Sequence, residues 1–175
     1  MQRSKLVHMV AFSVVMGKHY SNFDTSDFPF SYISEEKGKS ELTPAMNLFT
    51  VGTRRDCDKW PIRDRRKDRD KLDLIHYGLF SPYIIRKTNK AIKILDELAE
   101  KTDKKQEYVS YKGISIRRLL LKTTRRFYDT ALKVYVGQEV VKRIKGLENK
   151  SSLTELKNFL VVEGNEGKGK WADIC

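Results

Sequence analysis

The stretch MGKHYSNFDTSDFPFSYI, residues 16–33, decides how the rest of the chain is read. It carries His19, Asp24, Asp27, Pro29 and several aromatic residues, and neither a helical nor a strand period runs through it. Such a segment is either a reacting site, with aspartates orienting the imidazole of His19, or a loop that wraps and closes a core. Residues 5–15 before it, KLVHMVAFSVV, are dense in β-branched and aromatic residues and read as one strand or two short ones ending at Gly17. Almost nothing else reads as sheet, so this strand sits on an edge or is the last piece of something missing.

The remainder reads as helix. Residues 34–42, SEEKGKSEL, are an exposed loop around Gly38, and Pro44 opens a short helix that stops at Gly52. The clearest helix starts at Ser81-Pro82, a cap followed by proline, with Ile84, Thr88, Ala91, Ile92, Leu95, Leu98 and Ala99 on one stripe and Lys and Arg opposite. A second runs over about residues 115–145 with Ile116, Leu120, Thr123, Phe127, Ala131, Val134 and Val141 on one face and Gly146 past its end. Ser152 and Glu155 have the spacing of a capping box and announce a third. No internal repeat is visible. The expected fold class is mainly α: a short β amino-terminal part with its loop (1–33), packed helices (34–163) and a Gly-rich tail (164–175) that ends on Trp171 and Ile174 as though another segment followed.

At 175 residues and 39% hydrophobic, the chain has the size of one ordinary domain with a real core. Its longest uncharged apolar run, residues 6–17, falls far short of the roughly 20 residues that cross a bilayer, and no signal cleavage site follows it. A cytoplasmic protein without a membrane partner is expected. Cys57 and Cys175 are too few for a disulfide framework or a four-ligand zinc site. The net charge of +12 draws phosphate-bearing partners non-specifically, but lysines spread over nearly every segment do not by themselves make a nucleic-acid-binding protein.

Two groups of residues are candidates for chemistry. Residues 54–71, RRDCDKWPIRDRRKDRDK, hold nine basic and five acidic side chains around Trp60. Arg54, Arg55, Arg63, Arg65, Arg66 and Lys67 are the candidate anion-binding set, since guanidinium forks bind phosphate bidentately. The interleaved aspartates leave a solvated salt-bridge network as the other reading. Among the histidines, His8 and His19 are the candidate general bases, His19 because Asp24 and Asp27 follow it, whereas His76 reads as a packing residue. No third firm ligand stands beside His19, so no metal site is assigned, and no glycine-rich phosphate loop, nucleophile elbow or metalloprotease motif names an enzyme class or a cofactor.

The residues Pro29-Phe30-Ser31, Met46-Asn47, Arg63-Asp64-Arg65-Arg66-Lys67 and Ser81-Pro82, taken in that order over about residues 5–145, resemble a bacterial family, domain of unknown function 4954. Its larger members carry hexapeptide-repeat, acyltransferase-like left-handed β-helices. The resemblance implies that residues 5–15 belong to the last coil of such a helix and that residues 16–33 lead out of it, Phe28, Phe30 and Tyr32 covering its open end. It also implies transferase-like handling of an activated acyl or sugar group, with His8 or His19 as base, by an assembled protein rather than by this chain alone. The implied partner is a homo-oligomer or the missing β-helix portion. Two readings from other classes stand beside it: a small basic nucleic-acid-binding protein using residues 54–71 and the basic face of the helix after Pro82, and a structural or interaction module whose apolar end recruits a β-helix.

Overall fold

Two short segments eighteen residues apart share a pattern, Phe12-Ser13-Val14-Val15 and Phe30-Ser31-Tyr32-Ile33, each an aromatic residue, a small hydroxyl and two strand formers. The computed structural model describes residues 7–48, 51–67 and 77–145, and it stacks these two segments directly on each other. Strand β1 (Val7–His8) pairs in parallel with β3 (Phe23–Asp24), and β2 (Val14–Val15) pairs in parallel with the start of β4 (Tyr32–Glu36). Val7 lies opposite Phe23 and Val14 opposite Tyr32. Parallel neighbours are ordinarily joined through a crossover helix. Here the chain makes one circuit of sixteen to eighteen residues and returns above its starting point.

The ladder continues around the corners of the circuit. The amide of Thr25 donates to the His8 carbonyl at 2.9 Å, Phe30 to Ala11 at 3.3 Å, Val14 to Ser31 at 2.9 Å and Met16 to Ile33 at 2.8 Å. Phe12 and Phe30 occupy the same corner in successive circuits with the same left-handed backbone, φ 64° and 58°, and their rings stack at 5.0 Å and 6°. The absence of an internal repeat expected from the sequence is thereby corrected. Only four residues recur, and the rest of each circuit is free to vary because the backbone, not the side chains, carries the pairing.

The expected mainly α fold is also corrected: the protein is mixed α/β. Residues 34–42, expected as a loop, form most of a hairpin in which β4 runs antiparallel to β5 (Lys39–Thr43). A second hairpin pairs β6 (Tyr108–Tyr111) with β7 (Ile114–Arg117), and β7 lies parallel to β5, giving a five-stranded sheet in the order β2-β4-β5-β7-β6. Both hairpins turn on Lys-Gly. Lys37 and Gly38 have φ 51° and 81°, and Lys112 and Gly113 have φ 42° and 87°, so each turn is a two-residue one with positive φ at both positions, matching the twist of the strands it joins.

The helices divide into expected and unexpected. After a 3-10 turn (Met46–Leu48), α1 (Val51–Arg63) continues through Gly52, where the sequence suggested a stop, and carries Pro61 within it. Helix α2 (Pro82–Lys101) starts as expected: the Ser81 hydroxyl accepts from the Ile84 amide at 3.3 Å and Pro82 fills the first turn, where its missing N–H costs nothing. Its buried face is Ile84, Ile85, Thr88, Ala91, Ile92 and Leu95. Helix α3 (Arg118–Lys145) begins three residues later than expected because Ile114 and Ile116 face the core with strand periodicity. Its buried stripe is accordingly Leu121, Thr124, Tyr128, Ala131 and Leu132, whereas Thr123 and Val141, placed on the apolar face by the sequence, are exposed.

The chain divides into two compact units, Met1–Asp129 and Thr130–Cys175. In the first, Phe28, Phe30, Ile33, Leu42, Ile114, Ile116, Leu95 and Tyr128 are almost fully buried, each apolar side chain contributing about 1.5–3 kcal/mol. The described part of the second is the carboxyl-terminal portion of α3, with Lys142 paired to Glu139 at 2.6 Å. The helix expected after Ser152, the tail 164–175 and His76 lie outside the described residues. No helix among the described residues is long and apolar enough to cross a membrane.

Candidate functional site

The structure gives His8 and His19 different surroundings. His8 is exposed in β1, and its carbonyl accepts from both the amide and the hydroxyl of Thr25. His19 turns away from Asp24 and Asp27: its Nδ1 lies 2.9 Å from the Ser40 Oγ and its ring meets Phe23 edge-on at 5.5 Å. Serine beside histidine is one part of a nucleophile pair, which needs a third group to orient the ring. The other ring nitrogen, Nε2, is buried without a hydrogen-bond partner among the described residues.

The candidate anion-binding set falls on α1 and the segment after it. Arg54, Arg55, Arg63, Arg65 and Lys67 are exposed, and Arg55 pairs loosely with neighbouring Asp56 at 3.7 Å. Arg66 is held instead: its guanidinium meets Asp64 at 2.8 and 2.5 Å, and the Tyr77 hydroxyl donates to the same carboxylate at 3.1 Å. Trp60 and Ile62 are exposed on this helix.

The densest chemistry gathers around Asp27, whose neighbours come from sixty to eighty-five residues away. The carboxylate is 2% exposed, and four donors converge on it. Oδ1 receives Lys87 at 3.3 Å and Lys90 at 3.0 Å from α2, and Oδ2 receives Lys112 at 2.9 Å and the Tyr111 hydroxyl at 2.9 Å from the second hairpin. Lys112 also reaches Asp24 at 3.1 Å. Burial pushes the Asp27 carboxyl up, but the hydrogen bonds from Lys112, Lys90 and Tyr111 outweigh it and hold the group well below the usual carboxylate range. Burial and the bond to Asp27 push the Tyr111 hydroxyl up to about 12. The bond to Asp27 raises Lys112, so it stays charged.

Gly113 makes this convergence possible. Its φ is 87°, and a Cβ there would lie 2.3 Å from the Asn22 carbonyl oxygen, so the Lys112-Gly113 turn sits directly on the backbone of the second circuit. The Asp24 amide donates to the Lys112 carbonyl at 3.1 Å across the same contact. Sequence reasoning placed Asp27 beside His19 because they are near in the chain. It missed Lys87, Lys90, Tyr111 and Lys112, for which the only local signal was the Lys-Gly turn between alternating residues of YVSYKGISI.

A separate cavity of about 360 Å³ opens between the two hairpins, lined in part by Glu36, Glu41, Tyr108 and Arg117. Arg117 bridges Glu36 and Glu41, each at 2.7 Å, and lies 5.6 Å from the Tyr108 ring. Burial raises the Glu41 carboxyl against the pull of Arg117, with Glu36 adding to the rise. No group of three or more His, Cys, Asp or Glu among the described residues is placed to hold a metal.

The first circuit ends in an open edge. Val14 and Met16 direct their amides to β4, so Val15, between them, turns its own amide outward, and its side chain is 41% exposed. Met9, Val14 and Met16 are exposed beside it. An unpaired strand edge flanked by apolar side chains is a template for further pairing.

Comparison with known families finds one match, to the model described as Domain of unknown function (DUF4954), over residues 6–99. The matched stretch holds both circuits, the first hairpin, Asp27 and nearly all of α2. No curated protein and no solved structure matches the chain.

Proposed function

The chain belongs to the Domain of unknown function (DUF4954) family, and from that premise we propose that it acts as the cap of a parallel β-solenoid, a stacking module that receives a further coil on the edge of its first circuit. The observation that carries this reading is the parallel register, Val7 on Phe23 and Val14 on Tyr32. A circuit of sixteen to eighteen residues that stacks once supplies the same backbone donors and acceptors for stacking again. The far side of the second circuit is already occupied. Asn47 donates its amide to the Phe30 carbonyl at 2.8 Å and its side-chain Nδ2 to the Phe12 carbonyl at 2.7 Å, and β5 closes β4. Growth is therefore blocked on one side and open on the other.

The occupant of the open edge is a parallel β-coil of matching period, and the reading asks no catalytic role of His8 or His19. Fusing two coils of a parallel β-solenoid to the amino terminus tests it. A cap gives one cooperative unfolding transition for fused coils and chain together, and Val15→Pro splits that transition in two, because proline removes the single outward amide while leaving the bonds of Val14 and Met16 to β4 in place. Independent unfolding of coils and chain in the parent fusion would contradict the proposal.

A further inference from the structure

The charge along α2 is segregated in a way that folding does not require. From Pro82 to Leu95 the helix carries Arg86, Lys87, Lys90 and Lys93 and no acid, and its acids, Asp96, Glu97 and Glu100, follow. This order sets cations at the end where the helix dipole is already positive, the unfavourable arrangement for a helix standing alone. Nor does Asp27 explain it. One ammonium would neutralise that carboxylate, whereas Lys87, Lys90 and Lys112 all converge on it, and Asp24 and Asp27 together leave one positive charge over.

That surplus lies at the surface. The Lys90 side chain is 58% exposed, and Arg86 and Lys93, exposed on either side of it, have no carboxylate partner among the described residues. Elsewhere in the same unit the cations are paired: Arg125 with Asp96, Arg117 with Glu36 and Glu41, Lys101 with Glu97. Tyr83, Arg86, Lys90 and Lys93 recur at three- and four-residue intervals and so share one stripe, the three cations spanning about 10 Å at 1.5 Å per residue. Charges on each strand of duplex DNA repeat about every 3.4 Å, so such a stripe meets more than one phosphate. The Tyr83 ring, 57% exposed and 5.9 Å from the Lys87 ammonium, heads the stripe with a free aromatic face.

We propose that this stripe, with Lys112 at its edge, binds single-stranded nucleic acid, the cations taking consecutive phosphates and Tyr83 stacking on a base. The site is independent of the stacking edge and holds whether or not a coil docks there. Binding of the full chain to a fluorescein-labelled oligothymidylate, read by anisotropy across a salt series, tests it. The double variant Arg86→Ala/Lys93→Ala should weaken binding about tenfold and lower the log–log salt slope by about two. Tyr83→Ala should weaken oligothymidylate binding about tenfold while leaving heparin binding unchanged. All three positions are exposed, so thermal midpoints should stay at the parent value and loss of fold is separated from loss of contact. Parent-like affinity in the double variant would overturn the site. Equal effects of Tyr83→Ala on heparin and oligothymidylate, or none on either, would overturn its assignment to nucleic acid.

Discussion

The Tyr128 hydroxyl donates to the Pro29 carbonyl at 2.5 Å and accepts from the Ala45 amide at 3.2 Å, ninety-nine and eighty-three residues away. One fully buried phenol thus ties the corner of the second circuit, the turn after β5 and α3 together. Tyr128→Phe keeps the ring and removes both bonds, leaving a buried carbonyl and a buried amide unpaired. A loss of about 1–3 kcal/mol is expected, read as a lower urea midpoint with an unchanged slope.

Asp27 and Tyr111 set opposite ends of the pH range. The folded-state pKa of Asp27 is depressed, so its contribution is present above the unfolded value of about 3.9 and is lost as pH falls below it. Tyr111 is raised to about 12, so its contribution is present below its ordinary value near 10 and is lost between about pH 10 and 12. Asp27→Asn leaves three ammonium groups without their shared carboxylate. It should cost about 3 kcal/mol at pH 7, at the low end for a broken buried pair because the lysines reach water. The gap between variant and parent should close as urea midpoints are measured from pH 5 down to pH 2.

Gly113→Ala combines a left-handed backbone with a Cβ placed against the Asn22 carbonyl. The strained conformation alone costs about 1–3 kcal/mol, and the clash adds to it by moving the hairpin off the second circuit. Gly38→Ala has a similar φ of 81° and open space around it, so it should cost only the conformational part. The difference between the two thermal midpoints measures how firmly the second hairpin is seated. Equal midpoints would show that the Asn22 contact yields easily.

What was legible in the sequence was local. The start of α2 is written in two adjacent residues, Ser81 and Pro82, and its buried stripe in their spacing, so both were found. The hairpins were missed because Lys-Gly is a weaker turn signal than Asn-Gly and because five-residue strands in polar stretches such as YISEE and KSELT read as loop. The face of α3 was misplaced by one residue, from Leu120 to Leu121, once its start was drawn from the strand residues Ser115 and Ile116. The Asp27 cluster was out of reach because its partners lie on three elements that only the fold brings together. The resemblance to domain of unknown function 4954 was matched over residues 6–99, and the coil it implied finds its physical counterpart in the parallel register of the two circuits.

Hydrogen exchange at the Val15 amide tests the solenoid-cap account most directly. In the chain alone this amide points away from β4 and should exchange freely, while those of Val14 and Met16, bonded to Ser31 and Ile33, are protected. With two parallel β-coils fused ahead of it, Val15 should become protected to the level of its neighbours. Free exchange at Val15 in a fusion whose coils are folded would contradict the stacking role.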